Sequence, residues 1–491
     1  MQEETIDRGY TMTRIPHPDA ALEKLENLAM DILEQVGICI LSDAWPGRLK
    51  HMGIRMKGDR VFFDRHRVKE TLAKAPDAFP LRALNPDHDL DIGKGPSKIA
   101  PGYGCASVMD ASGNTREATL QDHLDLLKLV QAAPELQING GILAQPSDVP
   151  AAHSHLAMHH ATLVYADKCL MGMPGTLAQV TDIMELTAIR LGGQDCLARD
   201  PRVITMVSPI SPLQIDETAL ASVEAATRFN QPVMVSSGVA AGTTGPIDLA
   251  SNLAMASAEC LAVIMIVQAL NPGNPVIFGL QCYGADMRSG NISIGSPAYA
   301  LQARYCATLA RHWGIPSRCG GSVNDAKSLD AQAGYESMLS IFTAMENEVG
   351  VIVHGAGILD SFAGISVEKF IMDLEMIRMG RFYLEGLDIS GDALNLDLIR
   401  DVGPGGLFLT SPDTLKKCRT HAWNPVVALR GGLGGKTPGA ALLDNINQAR
   451  RQLMDAYVKP ETDPDILDRM HRFMADKGVD PSWYAHGSSH P

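Results

Sequence analysis

The sequence lacks C-x-x-C pairs, basic clusters and an apolar leader, and each absence excludes a class of protein. Its nine cysteines are odd in number and scattered, so we expect reduced thiols rather than a disulfide framework. Lys and Arg number 42 against 56 Asp and Glu, a formal charge of −14. This acidity argues against nucleic acid or a membrane surface as partner. Met1 to Arg14 have no signal-peptide core, so we expect a cytoplasmic protein.

Common catalytic and membrane-spanning patterns are also missing. There is no G-x-S-x-G, no Walker A loop and no dinucleotide fingerprint between a strand and a helix. The longest apolar segment, Leu253 to Leu270, contains Glu259 and Gln268 and leads into Asn-Pro-Gly, which predicts a buried helix instead of a membrane span. The remaining picture is a globular chain of 491 residues, 45% hydrophobic and 20% charged.

Short apolar strands recur from about residue 96, and each is followed by an amphipathic stretch of helical length. The eight predicted strands are 97–100, 136–139, 168–172, 202–207, 232–236, 275–279, 316–320 and 351–354. Their spacing of roughly 30 to 45 residues is typical of βα units. Eight units in series predict an α/β fold, the (β/α)₈ TIM barrel. A doubly wound open sheet is the alternative, because the sequence does not show strand order.

Extensions are expected at both ends of this barrel. The predicted regions are a mostly helical N-terminal extension at 1–95, the barrel with the active site at 96–385, and a C-terminal segment at 386–491. Helical periodicity runs from Pro18 to Gln35, and a final helix is predicted from about Pro438 to Val458. The C-terminal segment is expected to pack on the barrel or to form a subunit interface, so we expect a homo-oligomer.

Small or turn residues follow most of the predicted strands, for example Gly141, Gly279 and Gly320. On the carboxyl-end face of a barrel, where ligands bind, they would leave room for an open cavity. Glycine is also common in ordinary tight turns. The eighth strand runs from Val351 into the loop His354-Gly355-Ala356-Gly357, which is either an ordinary βα turn or the floor of a small-molecule site.

Tyr103 follows the first strand, which neighbours the eighth strand in a closed barrel. It is therefore predicted to lie beside His354 and Phe362. Two aromatic rings across a cavity suit a quaternary ammonium ion, which has no N–H to donate. The backbone amides of Gly355, Ala356 and Gly357 face a helix start and would hold a carboxylate. Simple packing is the alternative role for the rings.

The sixth and seventh loops supply further polar candidates. Tyr283 lies in the sixth loop, and Asp325, Gln332 and Glu336 lie in or after the seventh. We expect these four residues to shape the cavity at the top of the barrel. Gln332 and Glu336 also fit the first turns of a helix, where polar and acidic side chains act as caps and complement the dipole.

A metal site has weak support. His155 and His159 stand four residues apart on a predicted helix, a spacing that can chelate zinc. The glutamate of an H-E-x-x-H motif is missing, and the run starts a barrel helix instead of ending a strand. Cys282 and Cys319 lie near strand ends as possible ligands or nucleophiles, but we expect buried structural thiols. We therefore predict no tightly bound metal.

An ordered set of motifs spans most of the chain. The segments are Asp286 to Gly290 with Gly295-Ser296-Pro297, Pro316 to Gly321, Asp325-Ala326-Lys327, Asp330 to Glu336, His354 to Gly357, and Gly403 to Gly406. Together they resemble the trimethylamine:corrinoid methyltransferase (MttB-like) family. The resemblance implies a (β/α)₈ barrel that moves a methyl group from a methylated amine to the Co(I) corrinoid, a cobalamin, of a separate protein docked over the barrel mouth.

Founding members of that family use pyrrolysine for trimethylamine, whereas this sequence has only the twenty standard residues. The chain thus resembles the subgroup without pyrrolysine, which is similar to glycine betaine methyltransferase. In that subgroup aromatic residues and the strand-eight histidine loop form the betaine site, which implies Tyr103, His354 and Phe362 here. A quaternary amine leaves as a neutral tertiary amine, so no general acid is needed. Alternatives are another methylamine as donor, a zinc-dependent methyltransferase, or a betaine-binding homologue without turnover.

Overall fold

The computed structural model describes residues 18–484. The interpretation of Met1 to Arg14 and the outer ends of both predicted extensions fall outside this range. The central strands are β1 (Lys98–Ile99), β2 (Ile138–Gly140), β3 (Cys169–Met171), β4 (Val203–Val207), β5 (Val233–Ser237), β6 (Val276–Leu280), β7 (Ser317–Gly320) and β8 (Val351–Val353). Each of these strands lies within or overlaps one of the eight predicted segments, because short β-branched runs ended by turn residues are a local signal.

The eight strands close into a barrel. Consecutive strands from β2 to β8 pair in parallel, and β8 pairs in parallel with β1. A backbone hydrogen bond of 2.9 Å from Gln137 N–H to the Ile99 carbonyl joins β1 to the start of β2. The predicted (β/α)₈ barrel is therefore confirmed, and the open doubly wound sheet is excluded.

A helix follows every strand. The helices are α1 (Leu120–Ala132), α2 (Ala151–Tyr165), α3 (Leu177–Arg190), α4 (Glu217–Arg228), α5 (Leu249–Leu270), α6 (Pro297–Trp313), α7 (Ala331–Glu346) and α8 (Val367–Glu385). Side-chain caps fix several starts, as at α7, where Asp330 accepts from Ala333 N–H at 3.1 Å. Helix α5 is long and apolar enough to cross a membrane, yet 89% of its apolar window is buried in the fold. The buried-helix prediction is confirmed.

A layer of helices and short strands precedes the barrel. It contains helices Pro18–Asp31, Trp45–His51 and Arg65–Leu72, a π-helical turn Ile32–Val36, and strands Ile38–Leu41, Arg55–Lys57 and Arg60–Phe62. Strand Ile38–Leu41 pairs in parallel with Gln214–Asp216, which follows β4. This pairing ties the layer to the side of the barrel.

A hairpin closes the amino end of the barrel. Its strands, Phe79–Leu81 and Leu90–Ile92, pair in antiparallel fashion. Their buried side chains Phe79, Leu81 and Ile92 belong to one apolar cluster with interior residues of six barrel strands. Apolar contacts among the described residues therefore fill the amino end of the barrel.

Lys168, directly before β3, also lies at the amino end of the barrel. Its side chain is 4% exposed, and its ammonium donates to the carbonyls of Val130, Ala133 and Leu136 at 2.7–2.8 Å. These carbonyls lie at and just after the end of α1, where helix acceptors lack intrahelical partners. The three donors of the lysine therefore match three acceptors.

The chain continues after α8 with a segment that contains short helices Leu396–Val402 and Pro412–Lys417. Helix Pro438–Asp455 then packs on α8 and α1, close to its predicted bounds. The prediction that this is the final helix is wrong, because a further helix, Pro464–Asp476, packs on α3.

Candidate active site

A guanidinium group lies inside the barrel at the carboxyl end. Arg318 in β7 has 0% exposure. Its Nη1 donates to Ser236 Oγ in β5 at 2.7 Å and to Gln281 Oε1 after β6 at 2.8 Å. Its Nε and Nη2 have no hydrogen-bond partner, and no carboxylate within residues 18–484 forms an ion pair with it.

This arrangement is costly for the folded protein. Burial lowers the pKa of Arg318 from its ordinary value, but a guanidinium stays protonated in proteins. A buried cation without a counter-ion costs several kcal/mol, of order 3–5 when a partner is missing. Two unmatched donor nitrogens in a fixed planar fork suit a carboxylate, which accepts from arginine in bidentate fashion.

His354 lies next to this charge, directly after β8. Its side chain is 4% exposed, and its Nδ1 has no hydrogen-bond partner. Burial, and secondly the positive charge of Arg318, hold the pKa of His354 well below its ordinary value. The imidazole is therefore neutral at physiological pH, with one ring nitrogen as hydrogen-bond donor and the other as acceptor.

Two of the three amides that were predicted to hold a carboxylate are engaged inside the protein. Gly355 N–H donates to the Ala100 carbonyl at 2.8 Å, and Gly357 N–H donates to Asp373 Oδ2 at 2.8 Å. The prediction of an amide cradle is wrong for these two residues, because their N–H groups fasten the loop to β1 and α8. Ala356 accepts from Gly102 N–H through its carbonyl at 2.8 Å.

The carboxylate under this loop belongs to a buried ion pair. Asp373 and Lys369, one turn apart in α8, pair with both side chains at 0% exposure. Burial raises the pKa of Asp373 to about 6, although the charge of Lys369 opposes the shift. Because Asp373 also accepts from Gly357, the pair sets the position of the loop after His354.

Tyr103 lies where β1 and β8 meet, as predicted. His354 N–H donates to the Pro101 carbonyl at 3.0 Å, which places the two loops side by side. The Tyr103 hydroxyl donates to the Gly172 carbonyl at 3.2 Å. The ring thus leans over β2 and β3, and burial raises the pKa of its phenol far above the ordinary value.

Phe362 packs against His354. The two ring centroids are 4.7 Å apart at an interplanar angle of 53°. Asp360, Ser361 and Phe362 have φ values of 50°, 52° and 74°, a left-handed region that non-glycine residues seldom adopt. Three such residues in sequence store strain, and strain of this kind concentrates at ligand sites.

The Asp325 carboxylate connects three loops. It accepts from Ile294 N–H and Gly295 N–H at 3.0 Å each and from Ser361 Oγ at 2.6 Å. Glu336 accepts from Asp325 N–H at 2.7 Å and from Gln332 Nε2 at 2.9 Å. These side chains are occupied by protein donors, so they fix the wall of the site, and their contact with a ligand stays a prediction.

Tyr283 and Phe362 form part of this wall. Both are partly buried and pack on the cluster of Ile294, Tyr299 and Val323. Tyr103 therefore lies over β2 and β3, whereas Phe362 lies toward the loops after β6 and β7.

The glycines at the strand ends make room for protein side chains. A methyl group at Gly141 would overlap the Tyr103 ring, and one at Gly279 would lie 2.9 Å from Arg318 Cδ. A methyl group at Gly320 would overlap the Tyr299 hydroxyl. The expectation that these glycines leave an empty cavity is wrong, because tyrosine and arginine side chains fill the space.

The two histidines considered as zinc ligands, His155 and His159, contact other side chains. His159 Nε2 lies 2.7 Å from Thr187 Oγ1, and His155 Nε2 lies 3.4 Å from Asp182 Oδ2. Across residues 18–484 there is no group of three or more side chains able to hold a metal ion. Cys282 and Cys319 are buried, and burial raises the pKa of both thiols, which disfavours the reactive thiolate.

Comparison with known proteins shows the family of this chain. The model of the trimethylamine methyltransferase (MTTB) family matches residues 1–480. The chain belongs to this family. It is 37% identical over 460 residues to glycine betaine methyltransferase from Desulfitobacterium hafniense, covering 93% of this chain and 96% of the relative. It is 26% identical over 401 residues to L-carnitine:corrinoid methyltransferase from Eubacterium limosum, covering 79% and 82%.

A solved structure shows the same fold. The monomethylamine methyltransferase of Methanosarcina barkeri matches 89% of this chain and 87% of that chain, with a TM-score of 0.53 and 14% identity. The family model and the relative of 37% identity confirm the family predicted from the ordered motifs, and the chain is a methyltransferase of the MTTB family.

Sequence reasoning missed Arg318 as a site residue of this methyltransferase and included it only within a motif. Its partners Ser236 and Gln281 were missed as well. A usable signal was present, because an arginine inside a strand that is otherwise predicted to be buried is rare and is a marker of function.

Proposed function

We propose that this protein transfers a methyl group from a quaternary amine that carries a carboxylate, such as glycine betaine, to the Co(I) corrinoid of a separate protein. The observation that carries the proposal is Arg318. It presents two unmatched donor nitrogens inside the barrel, beside the neutral imidazole of His354.

A carboxylate completes this arrangement. It would accept from Arg318 and from His354, and it would neutralise a buried cation that has no protein counter-ion. A donor without a carboxylate, such as trimethylamine or tetramethylammonium, would leave Arg318 unmatched. It would also bring a second positive charge into the same low-dielectric interior, which is repulsive. The site therefore favours a zwitterion over a simple cation.

The aromatic rings would bind the ammonium end of the substrate. Phe362 packs on His354, and Tyr103 lies in the adjacent loop after β1. A trimethylammonium group cannot donate a hydrogen bond, and ring faces attract such a cation by about 0.5–2 kcal/mol each. The nearby carboxylate of Asp325 is occupied by protein donors, so the rings are the natural contact for the cation.

The proposed methyl transfer requires no proton transfer from these residues. The bond between methyl carbon and nitrogen breaks, the nitrogen keeps the electron pair, and the amine leaves neutral. The acceptor corrinoid, brought by its own protein through the carboxyl end of the barrel, supplies the nucleophile. The protein residues orient one methyl group toward that opening and exclude water from the cation. A neutral His354 fits this role, because no general acid is required.

The test is methyl transfer to cob(I)alamin by the purified full-length protein. The donors compared are glycine betaine, carnitine, proline betaine, trimethylamine and tetramethylammonium. We expect one dimethylglycine per methylcobalamin with glycine betaine, and kcat/KM at least about 100-fold above that of tetramethylammonium, as loss of a buried charge contact predicts. Inactivity with every donor, or equal rates with and without a carboxylate, would refute the proposal. Calorimetric binding of betaine without methylation would favour a homologue without turnover.

A further inference from the structure

The side chain of Arg318 lies across a neighbouring strand inside the barrel. The register of the sheet places Arg318 of β7 beside Gly279 of β6, and Gly279 beside Ser236 of β5. A methyl group at Gly279 would lie 2.9 Å from Arg318 Cδ, so the arginine passes over the glycine. Its Nη1 then reaches Ser236 Oγ at 2.7 Å. The guanidinium is thus held within one layer of the barrel.

Gln281 stands above this layer. It follows Gly279 by two residues, so it faces the same side of the sheet, one step nearer the carboxyl end. Its backbone N–H donates to the Ser237 carbonyl at 2.7 Å, which continues the pairing of β5 and β6. Its side-chain Oε1 accepts from Arg318 Nη1 at 2.8 Å and from Ser236 Oγ at 3.3 Å. The half-buried amide therefore contacts the guanidinium directly.

An amide is a weak partner for a buried cation. A glutamate has nearly the same length and shape, and its carboxylate would accept the same two hydrogen bonds more strongly, because the acceptor is then ionised. It would also supply Arg318 with a counter-ion, whereas within residues 18–484 no carboxylate pairs with this arginine. The glutamine thus leaves a buried charge uncompensated, which lowers stability.

We propose that Gln281 is a specificity-determining residue, whose neutral amide keeps the charge of Arg318 free for the carboxylate of a zwitterionic methyl donor. This inference rests on the proposed function and adds the residue that sets the choice between a zwitterion and a simple cation. With an amide at this position, the interior is positive and attracts a carboxylate. With a carboxylate there, the interior would be neutral, and a substrate carboxylate would meet a like charge.

A purely positional role for the amide makes a different prediction. In that case the hydrogen bond to Arg318 Nη1 is what matters, and Gln281→Glu, which keeps this bond, would behave as wild type does. The two roles therefore predict opposite results for one substitution. Gln281→Met is the matched variant, because the unbranched methionine has a similar length, removes the hydrogen bond and adds no charge.

The first test measures methyl transfer to cob(I)alamin from glycine betaine and from tetramethylammonium. We expect Gln281→Glu to lower kcat/KM for glycine betaine at least about 100-fold, mainly through KM, and to raise that for tetramethylammonium about 10-fold. Gln281→Met should lose less than about 10-fold with glycine betaine and keep its preference for that donor, since Arg318 stays charged. Gln448→Glu, exposed on helix Pro438–Asp455, adds the same charge elsewhere and should equal wild type.

The second test measures thermal unfolding and needs no turnover. Without ligand, Gln281→Glu should have a Tm a few degrees above that of wild type, and Gln281→Met should lie below wild type, because only glutamate supplies a counter-ion. Saturating glycine betaine should raise the Tm of wild type but not that of Gln281→Glu, because a ligand stabilises only the protein that binds it.

The outcomes separate this inference from the proposed function. Inactivity of wild type with every donor would refute the proposed function, and the Tm values with and without glycine betaine would still decide the role of Gln281. A retained preference of Gln281→Glu for glycine betaine, a Tm of Gln281→Glu at or below that of Gln281→Met, or an equal loss of preference in both variants would overturn the assignment. No effect of glycine betaine on the Tm of wild type would overturn it as well.

Discussion

Two buried cations stand at opposite ends of the barrel and differ in how their donors are matched. Lys168 precedes β3 at the closed amino end, and its ammonium meets three carbonyl oxygens. Arg318 lies in β7 at the carboxyl end, and two of its nitrogens meet no acceptor. Both are almost fully buried, so burial alone does not distinguish them.

The difference shows where the fold is stabilised and where it is prepared for a ligand. A buried charge whose donors are all matched contributes to folding, because it satisfies acceptors that would otherwise be orphaned. A buried charge with unmatched donors is destabilising until something binds it. The amino end, filled by the hairpin of Phe79–Leu81 and Leu90–Ile92, holds a buried charge whose donors are matched and which stabilises the fold. The carboxyl end holds a buried charge with unmatched donors, which is destabilising until a ligand binds.

Replacing Arg318 gives the largest expected effect. In Arg318→Met, we expect kcat/KM for glycine betaine to fall about 100- to 1,000-fold, since a substrate carboxylate loses its buried cation at a cost of about 2–5 kcal/mol. The rate with tetramethylammonium should stay the same or rise. Steady-state methyl transfer with both donors measures the difference. An equal loss with both donors would show that Arg318 serves the fold and not the carboxylate.

Replacing Lys168 tests the other end. We expect Lys168→Met to lower the free energy of unfolding by about 3 kcal/mol, because buried carbonyls lose their charged donor. Urea denaturation measures the loss. Below the unfolding temperature, the preference for glycine betaine over tetramethylammonium should equal that of wild type. If Lys168→Met lost activity with glycine betaine but not with tetramethylammonium, the contrast drawn between Lys168 and Arg318 would be wrong.

Gly320→Ala tests whether the carboxyl end depends on space made by glycine. The added methyl group displaces the Tyr299 hydroxyl, and overpacking of this kind costs about 1–3 kcal/mol. We expect lower stability and a lower rate with betaine, both partly restored in the double variant with Tyr299→Phe, which removes the hydroxyl but keeps the ring carbon Cζ 2.9 Å from the added methyl group. Gly238→Ala, after β5, is the control, since its nearest neighbour is 3.8 Å away. Failure of Tyr299→Phe to rescue would place the strain elsewhere.

The smallest expected effect concerns pH and the loop after His354. Burial raises the pKa of Asp373 to about 6, above the ordinary aspartate value of about 3.9. The folded state therefore binds this proton more tightly, and the resulting stability is full below about pH 4 and is lost as pH rises through 6. Relative to Asp373→Asn, the unfolding free energy of wild type should fall between pH 4 and 6. Urea denaturation of both proteins across this window measures the difference. A difference that is constant or that grows with pH would contradict the shift.

The barrel was predictable because its signals are local. Each strand is a short apolar run that ends in turn residues, and each helix has its own periodicity and cap, as Asp330 provides for α7. Helix Pro464–Asp476 had such signals too, with Ile466, Met470 and Phe473 at helical spacing. It was missed although the local pattern was present.

The site was predictable only in part, because its contacts join distant segments. Tyr103 was placed beside His354 from strand order alone. The engagement of Gly355 and Gly357 depends on acceptors in β1 and α8 that no local pattern indicates. The isolation of Arg318 depends on the absence, within residues 18–484, of a carboxylate that pairs with it, which is a property of the closed barrel and not of any motif.

The hairpin and its apolar cluster fill the amino end of the barrel. On the function proposed above, the methylated amine, the corrinoid protein and the demethylated product would all use the carboxyl end, because the hairpin of Phe79–Leu81 and Leu90–Ile92 fills the other. The amine has to be seated before the partner covers the opening, and the product departs only after the partner leaves. We would then expect turnover to follow a fixed order, and a large excess of the corrinoid protein to slow the enzyme by covering barrels that hold no amine.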